Sequence, residues 1–295
     1  MGRTPRPSAA GDGPAAARIQ VGARLRVLRE QRGVTRARAA DLIRASESKI
    51  SRMELGRVGF KERDLLDLLT LYGVHDEVER AVLVDRLREA NSPVWWQAHA
   101  DVVPGWFQRY LNLEPTAALI RAFEVQFVPG LLQTEDYARA VVRLGHPFAS
   151  AEEVEKRVRL RLDRQQILHR PDPPRLWAVV DEAVLRRAVG GGAVMRDQLE
   201  ALIVAVTKLR HVRLQVLPLA SGGHAAAGGS FTILRFPHHS MPDVVYIEQL
   251  TSSIYLERPD DVDRYFDAVS QLFMEAAPIT GTLAILERII DELRS

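Results

Sequence analysis

The sequence predicts a multidomain chain, an all-α N-terminal domain followed by an α/β (α+β) C-terminal domain with a mostly antiparallel sheet. Three observations predict it. Apolar residues recur at helical spacing in short capped segments from Val21 to Val74, and the period then switches to two in five runs between Arg175 and Arg258. Charge is also divided unevenly. Residues 18–73 hold 13 Lys/Arg against 7 Asp/Glu, a net of +6. The whole chain is +2 and residues 1–17 contribute +1, so everything from Val74 onward nets −5. A basic head on a mildly acidic body suggests that the head meets a polyanion.

The 295 residues include no cysteine, which excludes disulfides, thiolate zinc sites and cysteine nucleophiles and fits a reducing compartment. No apolar run approaches the roughly 20 residues that cross a bilayer. Residues 1–17 lack the apolar core of a signal peptide and read as a disordered tail. The expected location is cytoplasmic and nucleoid-associated, with no membrane partner.

The head is expected over residues 18–75. In "VGARLRVLREQRG", Val21, Leu25 and Leu28 form one stripe of a helix that ends at Gly33. Thr35 caps a second helix with Ala39, Ala40 and Ile43 inward. After a break at Arg44-Ala45, Ser46 caps "SESKISRMELG", in which Ile50 and Met53 point to the core. Leu65, Leu68, Leu69 and Tyr72 make a fourth stripe. A connecting helix follows over residues 76–91, with Val78, Val82 and Leu87 as its apolar positions, and Ser92-Pro93 has the pattern of an N-cap and first helical turn.

The stretch from Gly33 to Gly56, ending in "KISRMELG", resembles a helix-turn-helix of the lambda-repressor (Xre) type. The resemblance implies double-stranded DNA as a partner and the helix beginning at Ser46 as the one that enters the major groove. The wheel leaves Ser48, Ser51 and Arg52 opposite the core, flanked by Lys49. Arg52 and Lys49 suit guanine or phosphate, Ser48 and Ser51 suit bases or backbone, and Glu47 suits cytosine N4 or simply the helix dipole. Arg36, Arg57 and Lys61 read as phosphate contacts that set register. Two departures stand out: Arg36 replaces the frequent glutamine, and Arg44 replaces the usual glycine of the turn.

The body is expected over residues 92–295. Trp95, Trp96 and Trp106, with Phe107 and Tyr110, read either as core or as an aromatic pocket or interface. "VPGLLQTEDYARAVV" (Val128 to Val142) combines a Pro-Gly turn with Thr134 as a helix cap. The helix from Ala151 to Arg170 is rich in arginine, and Arg157, Arg161 and Arg164 are its candidate contacts to an acidic partner or anionic ligand, a solvated face being the alternative. A long helix is expected over Gly192 to Arg210. The strand runs are "RLWAVVD", "VRLQVLPL", "SFTILRF", "DVVYIEQ" and "SIYLER", the last four paired as an antiparallel meander. Two helices close the chain, the first with Val262, Tyr265, Phe266, Val269 and Phe273 at helical spacing.

Enzymatic readings find no constellation. Gly190–Gly192 and "SGGHAAAGGS" lack the lysine and the strand–loop–helix setting of a phosphate loop, and the second reads as a hairpin loop. Adjacent His238 and His239 on a strand point to opposite faces, against a metal site with Asp243. No glycine-flanked serine elbow appears. No catalytic residue, metal or cofactor is assigned.

From "LNLEPTAALIRAFEVQFVPGLLQTEDYARAVV" through "RLRLDRQQILHRPDPPRLWAVVDEAVLRRAVGG" to "VVYIEQLTSSIYLER", the body resembles the C-terminal domain of actinobacterial WhiJ-like regulators. That resemblance implies an antitoxin-like transcriptional regulator, expected to be a homodimer, whose body binds a small BldB-like protein encoded nearby. A body that senses a small molecule is the alternative.

Overall fold

The computed structural model describes residues 13–237 and 241–294, so His238 and His239 lie outside the described residues. The chain divides into compact units at Gln97/Ala98.

The N-terminal unit contains α1 (Gly13–Gln31), α2 (Arg36–Leu42), α3 (Glu47–Glu54), α4 (Glu62–Leu71) and α5 (Glu77–Ala90). The expected caps form: Thr35 accepts from the Arg38 N–H at 3.1 Å and Ser46 from the Lys49 N–H at 3.2 Å. One core joins Val21, Leu25 and Leu28 of α1, Ala39 and Ala40 of α2, Ile50 and Met53 of α3, and Leu65, Leu68 and Leu69 of α4. Helix α5, expected as a connector, belongs to the same core through Leu83, Val84 and Leu87. Its register differs from the expected one, because Val78 and Val82 are 71% and 57% exposed. Ser92 does not begin a helix either. Its hydroxyl donates to the Glu89 carbonyl at 2.7 Å, closing α5, and a 3₁₀ turn follows at Trp95–His99.

The body runs α6 (Gly105–Leu113), β1 (Leu119–Glu124), α7 (Glu135–Gly145), α8 (Ala151–Gln165), β2 (Arg175–Asp181), α9 (Glu182–Arg186), α10 (Gly192–Lys208), β3 (Val212–Leu217), β4 (Phe231–Arg235), β5 (Val244–Glu248), β6 (Ser253–Leu256), α11 (Pro259–Glu275) and α12 (Ile279–Glu292). Its six-stranded sheet has the order β3-β2-β1-β4-β5-β6. The pairs β1–β2 and β2–β3 are parallel and the other three antiparallel, so the sheet is mixed. The parallel half follows from helical crossovers, which two-residue turns cannot replace.

The meander is therefore confined to β4, β5 and β6. β3 sits at the far edge, and the glycine-rich segment 221–230 carries the chain from that edge to the middle rather than closing a hairpin. The central strand β1 was not among the expected runs, because "LIRAFE" interrupts its apolar pattern with charge on both faces. Phe123, Val179, Phe231, Ile233 and Val245 face α11, meeting Val262, Val269 and Leu272.

Candidate nucleic-acid interface

The helix-turn-helix is built from the glycines and a buried ion cluster as much as from its apolar stripes. α1 and α3 cross so closely that a Cβ on Gly22 would lie 2.4 Å from the Met53 carbonyl oxygen, and one on Gly56 2.6 Å from Ile19. Between α2 and α3 the chain reverses through Arg44, a non-glycine residue at positive φ (52°). Its N–H bonds the Asp41 carbonyl and the Ala45 N–H bonds the Ala40 carbonyl, the pattern of a left-handed helix C-terminus. The turn thus keeps its geometry with arginine in place of glycine, at a conformational cost of about 1 kcal/mol.

Glu54, at the end of α3, is 5% exposed. Arg29 of α1 grips it, with Nη2 at 3.1 Å from Oε2, and also donates from Nη1 to the Val34 carbonyl at 3.0 Å. Arg36 adds a second guanidinium, Nε to Oε2 at 3.3 Å. Donating to Glu54 raises the Arg29 pKa further, so the guanidinium stays charged. Arg36, expected only as a phosphate contact, ties α2 to α3 while its own side chain remains 41% exposed.

With Ile50, Met53 and Glu54 buried, α3 presents Glu47, Ser48 and Arg52 outward, with Ser51 half-buried beside them. The Arg52 guanidinium lies back along its own helix, Nε to the Ser48 carbonyl at 3.3 Å. Lys49 leans toward Asp64 of α4, 3.7 Å away, and the Ser46 hydroxyl is occupied as the N-cap. Arg57 is exposed in the following loop, and Lys61 is exposed at the N-cap position of α4 without a capping hydrogen bond. Arg44, noted in the sequence only as a departure in the turn, and Arg38, not singled out there, are both exposed and add charge in the turn and on α2.

In the body, the expected arginine-rich face is largely absorbed by internal partners. Arg164 forms a two-point ion pair with the fully buried Glu114, at 2.7 and 3.1 Å, and its guanidinium lies 5.4 Å from the Tyr110 ring centroid. The Tyr110 hydroxyl donates to the same carboxylate at 2.9 Å. Arg161 donates to the Gln133 side chain at 2.7 Å, and Arg157 to the Val102 carbonyl at 2.9 Å. Burial lowers the Arg161 pKa to about 10.

The same bonds explain Val128 to Val142. Gln133 donates to the Val128 carbonyl at 2.7 Å; Gln165 of α8 donates to the Gly130 and Gln133 carbonyls at 2.9 and 2.8 Å. Gln198 of α10 donates to the Leu132 carbonyl and accepts from the Thr134 N–H. The segment is an irregular backbone inside the fold whose polar groups are satisfied by amides from two helices. Thr134 caps α7, as its sequence position indicates.

Trp95 and Trp96 belong to the N-terminal unit, the first 38% exposed and the second buried. Trp106 is half-buried in the body, and its carbonyl accepts from Ser253 and Tyr255. A shallow cleft of about 210 Å³ lies between the 225–230 loop and Arg264, Tyr265 and Ala268 of α11. Among the described residues no group of His, Asp and Glu has a metal-binding arrangement, and no single helix is long and apolar enough to cross a membrane.

Residues 20–83 match a family described as a helix-turn-helix domain, and residues 107–288 match one described as a domain of unknown function, DUF5753. No curated protein and no solved structure matches the chain.

Proposed function

The chain belongs to the DUF5753 family, and we propose that it is a sequence-specific transcriptional regulator of the WhiJ-like kind, working as a homodimer. The helix-turn-helix match supports a DNA-binding regulator. The observation that carries the finer reading is the outward face of α3, where Glu47, Ser48 and Arg52 are exposed beside the half-buried Ser51 in a head of net charge +6. Two copies would place α3 in successive major grooves about 34 Å apart. Arg52 reads a base edge; Arg36, Arg57 and Lys61 hold phosphates. The body binds a small acidic or BldB-like protein, and that binding alters the head's affinity for DNA.

A second reading, in which the body senses a small molecule, draws on the cleft beside Tyr265. A thermal-shift screen against metabolites separates the two, since a ligand of the folded body raises its melting temperature.

The test is fluorescence anisotropy on the DNA upstream of the protein's own gene, against scrambled DNA, over a salt series, with and without the small neighbouring protein. Arg52→Ala is expected to weaken specific binding by about 1–3 kcal/mol, and Lys61→Ala mainly to lower the salt slope. Equal loss on both DNAs for Arg52→Ala would remove base reading from that residue.

A further inference from the structure

The sheet register assembles a second cationic feature, remote in sequence from the head. Arg121 of β1 is directly opposite Trp177 of β2, which is opposite Arg213 of β3. Because residues opposite one another share a face, the row Arg213–Trp177–Arg121 crosses three neighbouring strands. Arg175 and Arg235 both pair with Leu119, two residues before Arg121, and so lie on the same face one step along. The two guanidiniums of the row are 5.4 and 5.8 Å from the indole centroid, and that of Arg235 is 4.5 Å from the Phe266 ring.

The charge is poorly compensated. Asp243 pairs with Arg235 at 2.9 Å, but among the described residues no carboxylate lies within ion-pair distance of Arg121, Arg175 or Arg213. The Arg121 Nε is buried and makes no hydrogen bond there. Holding a half-buried guanidinium without an anion is costly, and an incoming carboxylate would relieve that cost with charge-assisted hydrogen bonds. Burial and then the neighbouring Arg235 push the Arg121 pKa down, consistent with an uncompensated charge.

We infer that the Arg213–Trp177–Arg121 row, with Arg175 and Arg235, is a docking surface for an acidic segment of a protein partner. The inference rests on the reading of the body as a partner-binding domain and names the surface and its chemistry. Two observations favour a peptide over a nucleic acid. Residues from Val74 onward net −5, which opposes the long-range approach of a polyanion but not a short acidic segment reaching one local patch. The indole is already stacked on Phe273, with centroids 4.0 Å apart, and flanked by two guanidiniums, so it offers no open platform for a base.

The experiment uses the full chain and a fluorescein-labelled peptide of alternating glutamate and leucine. A glutamine-for-glutamate version and a single-stranded oligonucleotide of equal charge are the controls. The glutamate peptide is expected to bind at least about tenfold more tightly than the glutamine peptide, and Arg175→Glu with Arg213→Glu is expected to erase that preference. Both positions are exposed; if the double variant melts early, Arg213→Gln alone gives the same reading in smaller measure. The inference is overturned if the two peptides bind alike, if the reversed variant keeps the preference, or if the oligonucleotide binds more tightly through these arginines. Operator binding is measured on the same preparations. Its loss with the peptide preference intact would sink the regulator reading and leave this surface standing; the converse would sink the surface alone.

Discussion

Both parts of the molecule bury a glutamate against arginine, and they do so to opposite ends. In the head, Glu54 is shared by Arg29 and Arg36 while Glu30 is shared by Arg29 and Arg26, three cations for two anions, and the surplus charge sits on Arg36 at the surface. In the body, Glu114 meets one guanidinium, Arg164, and one neutral phenol, Tyr110, with the rings of Phe107 and Tyr110 against the guanidinium. The body's cluster is closed and balanced, so its work is to fasten α8 to the segment after α6. The head's cluster fastens α1, α2 and α3 and leaves a positive charge beside the outward face of α3. A buried carboxylate is therefore no sign of a site by itself; what decides is whether its partners leave charge over, and where.

The comparison is broken most severely by removing the anions. Glu114→Gln leaves Arg164 buried without its counter-charge and is expected to cost the body about 3–5 kcal/mol. Glu54→Gln is expected to cost the head less, about 2–3 kcal/mol, because Arg36 can turn to water. Hydrogen exchange resolved by peptide assigns each loss to its unit; equal losses would mean that the exposure of Arg36 has no energetic consequence. Gly22→Ala drives a methyl into the Met53 carbonyl and should cost the head about 1–3 kcal/mol while leaving exchange in the body unchanged.

Smaller effects sharpen the contrast. Arg44→Gly relieves the left-handed turn and is expected to stabilise the head by about 1 kcal/mol in denaturant titrations, while removing one exposed charge beside α3. In the body, burial and then the nearby Glu248 raise the Glu124 carboxyl to about 7, against a bonding hydroxyl from Ser230 that lowers it. The folded body therefore holds a proton that the unfolded chain has lost between about pH 4.5 and 7. Its stability should fall as pH rises through that window, and Glu124→Gln should flatten the dependence in melts across it. An unchanged slope in the variant would assign the titration elsewhere.

Legibility differed between the two parts for a physical reason. In the head each element is a short capped helix with its own apolar period, so stripes such as Val21, Leu25 and Leu28 and caps such as Thr35 and Ser46 are read directly. There the difference is local: α5 is turned by part of a helical turn, so Val78 and Val82 face out. In the body, β1 escaped because Arg121 and Glu124 break its alternation, and without β1 the place of β3 at the far edge could not be inferred.

Sequence alone determined the basic head and acidic body, the helix-turn-helix spacing, the capped helices and most of the strand runs. These depend on composition and on periods of 3.6 and 2, which are properties of neighbouring residues. Only the tertiary structure decided that Glu54 carries two arginines, that Gln133, Gln165 and Gln198 satisfy the backbone around Pro129-Gly130, and that Arg213, Trp177 and Arg121 form one row. Each of those joins residues many positions apart through hydrogen-bond register or buried charge. No local pattern encodes such a pairing, because it exists only once the strands and helices have found their partners.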